Sequence, residues 1–221
     1  MMITTVLFDL DGTLIDTEEL ILTSFRTATA EVLGFSPLDE EVRRYIGIPL
    51  VEQAAVLAPD RVDELMESYR RHNLALHDAL IGYFEGTREM LEALGARGLR
   101  LAVVTSKRNV PAREGLDSFD LQPYFELVQG MEDTVKHKPN PEPLLTAAQR
   151  LGVAPAECVY IGDSTYDMEA AHAAGMGAIA ALWGMHTPEQ LRAAGADYEV
   201  ACPLAIPTIL DLLNQPTCDA S

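Results

Sequence analysis

The sequence predicts an α/β protein: an open parallel sheet with helices on both faces and a block of helices inserted after the first strand. Short runs of apolar and β-branched residues alternate with segments of helical periodicity, the pattern of strands joined by helical crossovers. The apolar runs are nearly continuous rather than alternating, so we expect strands that are buried on both faces. One interval, residues 17–82, is helical in pattern throughout.

Four apolar runs are predicted as buried parallel strands, and a fifth is a weaker candidate. They are TTVLFDL (4–10), LRLAVVTS (99–106), ECVYIGDS (157–164), GAIAALWG (177–184) and, more weakly, YFELVQG (124–130). The helices predicted between them are TREMLEALGARG (87–98), NPEPLLTAAQRLG (140–152) and YDMEAAHAAGMG (166–177).

The interval 17–82 is predicted as a small all-helical domain inserted into an α/β domain formed by residues 1–16 and 83–221. We expect hinges near Asp16 and at GYFEG (82–86), and a lid over the carboxyl ends of the strands. The alternative is that these helices pack on the edge of the sheet. Two apolar stripes at helical spacing support the helical pattern: Leu22, Phe25, Ala28 and Val32, then Val62, Leu65, Met66 and Tyr69.

The amino-acid composition limits the kinds of molecule that the protein is expected to bind. The net charge of −18 and the pI near 4.5 disfavour nucleic acid and anionic membranes, so we expect small-molecule partners. Cys158, Cys202 and Cys218 are odd in number and form no CxxC pair, which argues against a disulfide framework or structural zinc. With no secretory or membrane-spanning pattern, we expect a cytoplasmic protein. The tail NQPTCDAS (214–221) is expected to fray.

Three predicted strands end in acidic or hydroxyl residues. The carboxyl ends of parallel strands meet at one edge of a sheet, so we expect these side chains to share one site. The alternative is that each residue only caps the helix that follows, but three such ends together favour a site. The pairs are Asp9 with Asp11, Thr105 with Ser106, and Asp163 with Ser164.

Clustered acids need a compensating positive charge, because like charges in a site that excludes water repel strongly. Mg²⁺ prefers hard oxygen ligands and also takes phosphate oxygens, so the pattern favours Mg²⁺-assisted phosphoryl transfer. Four segments carry the candidate residues: DLDGT (9–13), VVTSK (103–107), KHKPNPEP (136–143) and GDSTYD (162–167).

The order and spacing of these four segments strongly resemble the haloacid dehalogenase superfamily of phosphohydrolases, over nearly the whole chain. The resemblance implies a Rossmann-like core, and the helical insertion is similar to that family's type 1 cap. It also implies that Asp9 is the nucleophile, forming an aspartyl phosphate. Asp11 would be the general acid and base, protonated at the start through crowding by neighbouring carboxylates.

By the same resemblance, Mg²⁺ would bind the Asp9 side chain, the Asp11 main-chain carbonyl and Asp163. Asp167 would help through water or through Lys138. The phosphate would be held by Gly12, Thr105, Ser106 and Lys138, with Gly12 allowing close approach of the backbone. Lys136 competes for the role of Lys138, but only Lys138 starts the family pattern KPxP.

Several chemistries remain open at this stage. The second acid, Asp11, favours phosphate transfer over dehalogenation, and together with the insertion it disfavours a phospho-accepting receiver domain. YIGIPL (45–50) and ESYRRHNLALHDAL (67–80) resemble the cap of bacterial pyrophosphatases in this superfamily, which implies pyrophosphate as substrate. Phosphoglycolate phosphatase is the nearest alternative, followed by a phosphomutase.

The remaining candidates have competing interpretations. Arg43 and Arg44 are equally well interpreted as anion contacts or as surface charges, and Lys107 and Arg108 lie beside a predicted phosphate-binding strand end. His72 and His77 are five residues apart and so do not predict a metal pair. Trp183 and Met185 are expected to pack against the sheet. The oligomeric state is not predicted.

Overall fold

Six parallel strands form one sheet in the computed structural model, which describes residues 2–215. A separate two-stranded antiparallel ribbon consists of β2 (Ile15–Asp16) and β3 (Gly82–Tyr83). The sheet strands are β1 (Thr5–Phe8), β4 (Arg100–Val104), β5 (Leu127–Gln129), β6 (Cys158–Gly162), β7 (Gly177–Ala181) and β8 (Tyr198–Val200). Their order is β5-β4-β1-β6-β7-β8.

The first strand lies at the centre of the sheet and is buried on both faces. Val6 and Phe8 point into one apolar cluster while Leu7, between them, points into the other, as the period of two in a strand requires. In register, Thr5 lies opposite Arg100 on one side and opposite Cys158 on the other. The continuous apolar pattern was therefore a correct sign of a strand covered by helices on both faces.

Ten α-helices lie within residues 2–215. Those outside the insertion are α5 (Thr87–Ala96), α6 (Asn109–Asp117), α7 (Glu142–Leu151), α8 (Thr165–Ala174), α9 (Pro188–Ala193) and α10 (Ile206–Leu213). Helices α5, α7 and α8 lie where the sequence predicted them.

The sixth strand and three helices, α6, α9 and α10, were not predicted. β8 has only three residues and lies at the edge of the sheet, where Tyr198 is exposed and only Val200 is fully buried. A strand this short, with only its last residue buried, lacks the apolar run that identifies a buried strand.

Four helices lie between the two strands of the ribbon: α1 (Glu18–Leu33), α2 (Asp39–Arg43), α3 (Leu50–Leu57) and α4 (Val62–Leu80). The ribbon brings the entry and exit of this helical insertion side by side, at the places where hinges were predicted. The division of the chain into 1–16 with 83–221 and 17–82 remains a prediction.

The insertion has apolar clusters of its own. Phe25 and Leu65 are fully buried, and the ring of Phe25 lies 4.5 Å from that of Tyr69 on α4. The predicted stripes therefore form the contact between α1 and α4. The prediction that Met185 packs on the sheet is wrong, since its side chain joins the cluster of Phe25 in the insertion. Trp183 packs against the core of the sheet, as predicted.

No helix of the described residues is both long and apolar enough to cross a membrane. Cys218 and most of the tail expected to fray, residues 216–221, lie outside the described part of the chain.

Replacing Phe25 with alanine should lower the free energy of unfolding by about 3–5 kcal/mol, because it leaves a cavity between α1 and α4. The control is Phe35→Ala, at a side chain that is 55% exposed, for which a change within about 0.5 kcal/mol is expected. Urea unfolding followed by circular dichroism measures both. Equal losses in the two variants would contradict the proposed packing.

Candidate active site

Three strand ends meet at one point, because β4, β1 and β6 are neighbours in the sheet. Asp9, Thr105 and Asp163 each directly follow one of these strands. The amide of Asp9 donates to the carbonyl of Ile161 at 2.9 Å, which extends the β1–β6 ladder to the acid itself. The later strands lie on both sides of β1, with β4 and β5 on one side and β6, β7 and β8 on the other. The acids therefore lie at a topological switch point, the usual ligand site of an open α/β sheet.

Lys138 is the buried cation of this site. Its ammonium lies 3.0 Å from Oδ2 of Asp9 and 2.6 Å from Oδ1 of Asp167, and it donates to the hydroxyl of Tyr160 at 3.0 Å. These contacts use all three protons of the ammonium. Burial by itself lowers the pKa of Lys138, but the negative charges of Asp167 and Asp9 together outweigh it and raise this pKa above its usual value. Lys136 is exposed, so the geometry favours Lys138 over its rival.

Asp167 is held by the start of helix α8. The amide and the hydroxyl of Ser164 donate to its Oδ2 at 2.9 and 2.6 Å, and Ser164 is the N-cap residue of that helix. The capping interpretation of this strand end was therefore correct for Ser164. The same cap positions Asp167 against Lys138.

Asp163 lies between two glycines. A Cβ atom on Gly12 or on Gly184 would come within 2.2 Å of this side chain, so any larger residue would displace it. Its Oδ1 accepts from the hydroxyl of Thr13 at 3.0 Å, and its Oδ2 accepts from the amide of Met185 at 2.8 Å. Gly12 therefore leaves the space that the Asp163 side chain occupies, a role that the sequence did not indicate. The amide of Gly12 donates to the carbonyl of Ile15.

Asp9, Asp163 and Asp167 form a buried cluster whose nearest carboxylate oxygens lie within 4.8 Å of one another. One lysine faces three acids, which leaves two negative charges in excess. Burial, together with the charge of Asp167, raises the pKa of Asp9 to about 7 against the effect of Lys138, and burial raises that of Asp163 well above its usual range.

A divalent cation fits this cluster. Oδ1 of Asp9 is buried and has no hydrogen-bond donor among the described residues, which is costly for a carboxylate oxygen. A hard cation would supply the missing charge and the missing partner together.

Asp11 lies apart from the acid cluster, and its side chain is 18% exposed. Its Oδ1 accepts from Nζ of Lys107 at 2.8 Å and from the hydroxyl of Thr17 at 2.8 Å. The described partners of the Asp11 side chain are a cation and a hydroxyl, and its crowding by other carboxylates stays a prediction. Thr17 immediately precedes α1, so Asp11 also contacts the start of the helical insertion.

The predicted phosphate-binding residues lie around the same strand ends. Thr105 is buried, and its Oγ1 accepts from the amide of Lys107 at 3.1 Å. The hydroxyl of Ser106 is engaged with the insertion, since it donates to the carbonyl of Gly47 at 2.6 Å.

A cavity of about 660 Å³ opens above the acids, between the α/β core and the insertion. Asp9, Asp11, Thr105 and Lys107 line its core side, and residues of the loop before α3 and of α4 line the other. The insertion therefore lies over the strand ends rather than on the sheet edge. Besides Ser106, Tyr166 and His186 hold this loop, because their side chains donate to the carbonyls of Arg44 and Arg43 at 3.0 and 3.1 Å.

The two arginines considered as anion contacts do not line the cavity. The guanidinium of Arg43 binds Glu18, with its closest nitrogen 2.6 Å from Oε1. The main-chain carbonyls of Arg43 and Arg44, in contrast, accept hydrogen bonds from core side chains.

Comparison with known proteins identifies the family. The sequence model of the haloacid dehalogenase-like hydrolases matches residues 6–181. The chain belongs to this family. The prediction of a phosphatase of the haloacid dehalogenase type is thereby confirmed, and the receiver-domain alternative is excluded.

Several curated relatives of this hydrolase are named pyrophosphatase PpaX. The one from Halalkalibacterium halodurans is 35% identical over 214 residues, covering 97% of this chain and 98% of the relative. The one from Bacillus pumilus is 36% identical over 189 residues, covering 86% and 88%. A relative from Caldanaerobacter subterraneus, which carries the same name provisionally, is 40% identical over 198 residues and covers 90% of each chain.

Solved structures agree with the fold. A haloacid dehalogenase-like family hydrolase from Streptococcus pneumoniae superimposes with a TM-score of 0.83 at 28% identity, covering 94% of this chain and 98% of the other. A protein described as a predicted phosphoglycolate phosphatase from Haemophilus somnus gives 0.82 at 25% identity, covering 94% and 97%.

Sequence reasoning missed several side chains in the site of this hydrolase. Tyr160 lies inside an apolar strand and gave no polar signal, yet its hydroxyl binds Lys138 and donates to the carbonyl of Val104 at 2.7 Å. Thr13 is part of DLDGT and could have been singled out. The pairing of Lys107 with Asp11 joins residues 96 positions apart and has no local signature.

We expect a divalent cation to bind the acid cluster of the folded protein, so adding Mg²⁺ should stabilise the hydrolase against unfolding. At one hundred times the dissociation constant the gain is about 2.7 kcal/mol, or roughly 5–10 °C in thermal midpoint. Asp163→Asn should remove most of this shift, while Asp60→Asn, the same change at an exposed position, should retain it. Differential scanning calorimetry with and without EDTA measures the effect, and an equal shift in both variants would count against the cluster as the metal site.

Proposed function

We propose that this chain is a Mg²⁺-dependent phosphohydrolase that works through a phosphoryl group on Asp9, with inorganic pyrophosphate as the first candidate substrate. The observation that carries the proposal is the position of Asp9. It lies at the floor of the cavity, bound to Lys138 and grouped with two more buried acids. An aspartate so placed can attack phosphorus while a lysine and a metal ion offset the developing charge.

The reaction has two displacements. A carboxylate oxygen of Asp9 bonds to phosphorus as the bond to the leaving oxygen breaks, and Asp11 gives its proton to that oxygen. Asp11 then takes a proton from water, whose oxygen bonds to phosphorus as the bond to Asp9 breaks. Inorganic phosphate leaves, and both aspartates return to their starting states.

Asp9 and Asp163 are proposed as direct ligands of Mg²⁺, together with the main-chain carbonyl of Asp11. Asp167 is proposed to act through Lys138, because both of its carboxylate oxygens already accept hydrogen bonds. The bound ion supplies charge neutralisation for the transferring phosphoryl group.

Thr105, Lys138 and the main chain at Ser106 are proposed to hold the phosphate, and Gly12, whose own amide is bonded to Ile15, is proposed to allow close approach of the backbone. For Ser106 the donor would be the main-chain amide, since its hydroxyl is bonded to Gly47. Lys138 lies between the nucleophile and Asp167, from where it can follow the charge as it moves to the phosphoryl oxygens.

Residues 17–82 are proposed to act as a cap domain on a core of 1–16 and 83–221, closing the cavity during the reaction. Its own apolar clusters and the two-strand ribbon at its base support this division. We also propose a cytoplasmic location, supported by unpaired Cys158 and Cys202.

Pyrophosphate is placed first because the curated relatives are named pyrophosphatases at 35–40% identity over most of the chain. Phosphoglycolate is the second candidate, favoured by the structural likeness to the Haemophilus somnus protein. A phosphomutase would use the same core residues and comes third.

The decisive experiment compares kcat/KM for pyrophosphate, phosphoglycolate and several sugar phosphates with Mg²⁺ present. We expect pyrophosphate to rank first and Asp9→Asn to abolish turnover of every substrate, because an amide cannot attack phosphorus. Circular dichroism verifies that the variant is folded. Retention of most activity in Asp9→Asn would falsify the nucleophile assignment, and phosphate release that requires a sugar bisphosphate primer would indicate the mutase.

Asp11→Asn should lower kcat by about 10²–10⁴-fold, the usual contribution of an acid and base, while Mg²⁺ binding persists. Its side chain lies outside the buried acid cluster, so the thermal shift with Mg²⁺ should be retained. Parallel loss of turnover and of the Mg²⁺ shift would contradict the assigned role.

A further inference from the structure

We propose that Arg70, an exposed residue on the side of α4 that lines the cavity, forms a second anion-binding subsite that selects substrates whose leaving group carries its own negative charge. The inference rests on the proposed function, because it concerns the leaving-group side of the same cavity. It adds a specificity-determining residue that binds the part of the substrate distant from Asp9.

One face of α4 lines the cavity. Arg70, Asn73, Leu74 and His77 all contribute to its wall, and their spacing of three and four residues places them on a single stripe of the helix. Asn73 is fixed in place, since its amide donates to the hydroxyl of Ser24 on α1 at 3.2 Å. The stripe is therefore anchored at its middle and presents a cation at one end.

Arg70 differs from the other cations that line the cavity. Lys107 is bound to Asp11, and Arg108 is bound to Glu132, each at 2.8 Å. Among residues 2–215 the only described hydrogen-bonding contact of Arg70 is a weak one with Sδ of Met66, at 3.8 Å. Its guanidinium is thus the cavity cation without an acidic partner.

His77 lies about two turns beyond Arg70, at the other end of the stripe. Its Nδ1 is 3.0 Å from Oδ1 of Asp78, and its Nε2 has no described partner, so that nitrogen is available to a ligand. The acids Glu114 and Asp117 line the opposite side on α6. These acids, and Asp78 near the end of α4, disfavour an anion beside them, which leaves the Arg70 end of the α4 stripe as the favourable place.

The chemistry of Arg70 suits a particular substrate class. A guanidinium offers a planar pair of donors that matches a phosphate or carboxylate group, and it stays charged at all working pH values. Pyrophosphate and phosphoglycolate both carry such an oxyanion beyond the bond that breaks. A substrate such as p-nitrophenyl phosphate carries none before cleavage.

The test compares Arg70→Gln with Arg71→Gln. The control residue is adjacent in sequence and exposed like Arg70, but it is bound to Glu31 and does not line the cavity. The ratio of kcat/KM for pyrophosphate to that for p-nitrophenyl phosphate should fall about 10- to 100-fold in Arg70→Gln. It should recover in part in Arg70→Lys and stay at the wild-type value in Arg71→Gln.

A binding measurement makes the test independent of turnover. Titration calorimetry with methylenediphosphonate and Mg²⁺ should show an affinity about 10-fold or more weaker in Arg70→Gln than in wild type and Arg71→Gln. Inorganic phosphate, which can occupy the Asp9 end alone, should bind the three proteins alike.

The outcomes separate this inference from the proposed function. If Arg70→Gln lowers kcat/KM equally for both substrates, or binds methylenediphosphonate as wild type does, the subsite is overturned while the phosphatase stands. Failure of wild type to bind methylenediphosphonate also overturns it. If wild type binds this probe through Arg70 yet hydrolyses no phosphate substrate, the subsite stands and the proposed function fails.

Discussion

The ammonium of Lys138, buried between Asp9 and Asp167, is the interaction on which the rest of the site depends. Two carboxylates and a lysine are brought out of water here, which is tolerable only when each charge has a well-placed partner. The hydroxyl of Tyr160 completes the shell of the lysine and is itself tied to β4 through Val104. The position of Asp9 is thus fixed by the two strands that flank it and by the start of α8.

The proposed roles of the aspartates suit a difference in solvent exposure within the site. Asp9 and Asp163 are nearly inaccessible to solvent, while Asp11 is partly exposed and reaches Lys107 and the base of the insertion. A nucleophile benefits from a site that excludes water, because charges act over a low dielectric there. An acid and base that must meet both the leaving group and water needs the more open position.

The insertion completes the site rather than merely covering it. Its loop is bound to the core through Ser106, Tyr166 and His186, and the side chain of Met185 packs into the insertion. Met185 also donates its amide to Asp163, so a single residue contacts both the acid cluster and the apolar core of the insertion. Helix α4 then forms the far wall of the cavity, where we propose that the leaving group is recognised.

Local patterns in the sequence were enough to predict the parallel sheet, the helical insertion and the meeting of Asp9, Thr105 and Asp163, because continuous apolar runs and their terminal residues are properties of neighbouring positions. The motif around Lys138 likewise separated it from Lys136. Contacts between distant segments were decided only by the tertiary structure. These include the pairing of Asp11 with Lys107, the space that Gly12 leaves for Asp163, and the choice of Arg70 rather than Arg43 for the cavity wall. Such contacts depend on how helices pack across the sheet and on which polar groups this packing brings together, and residue spacing along the chain does not encode that.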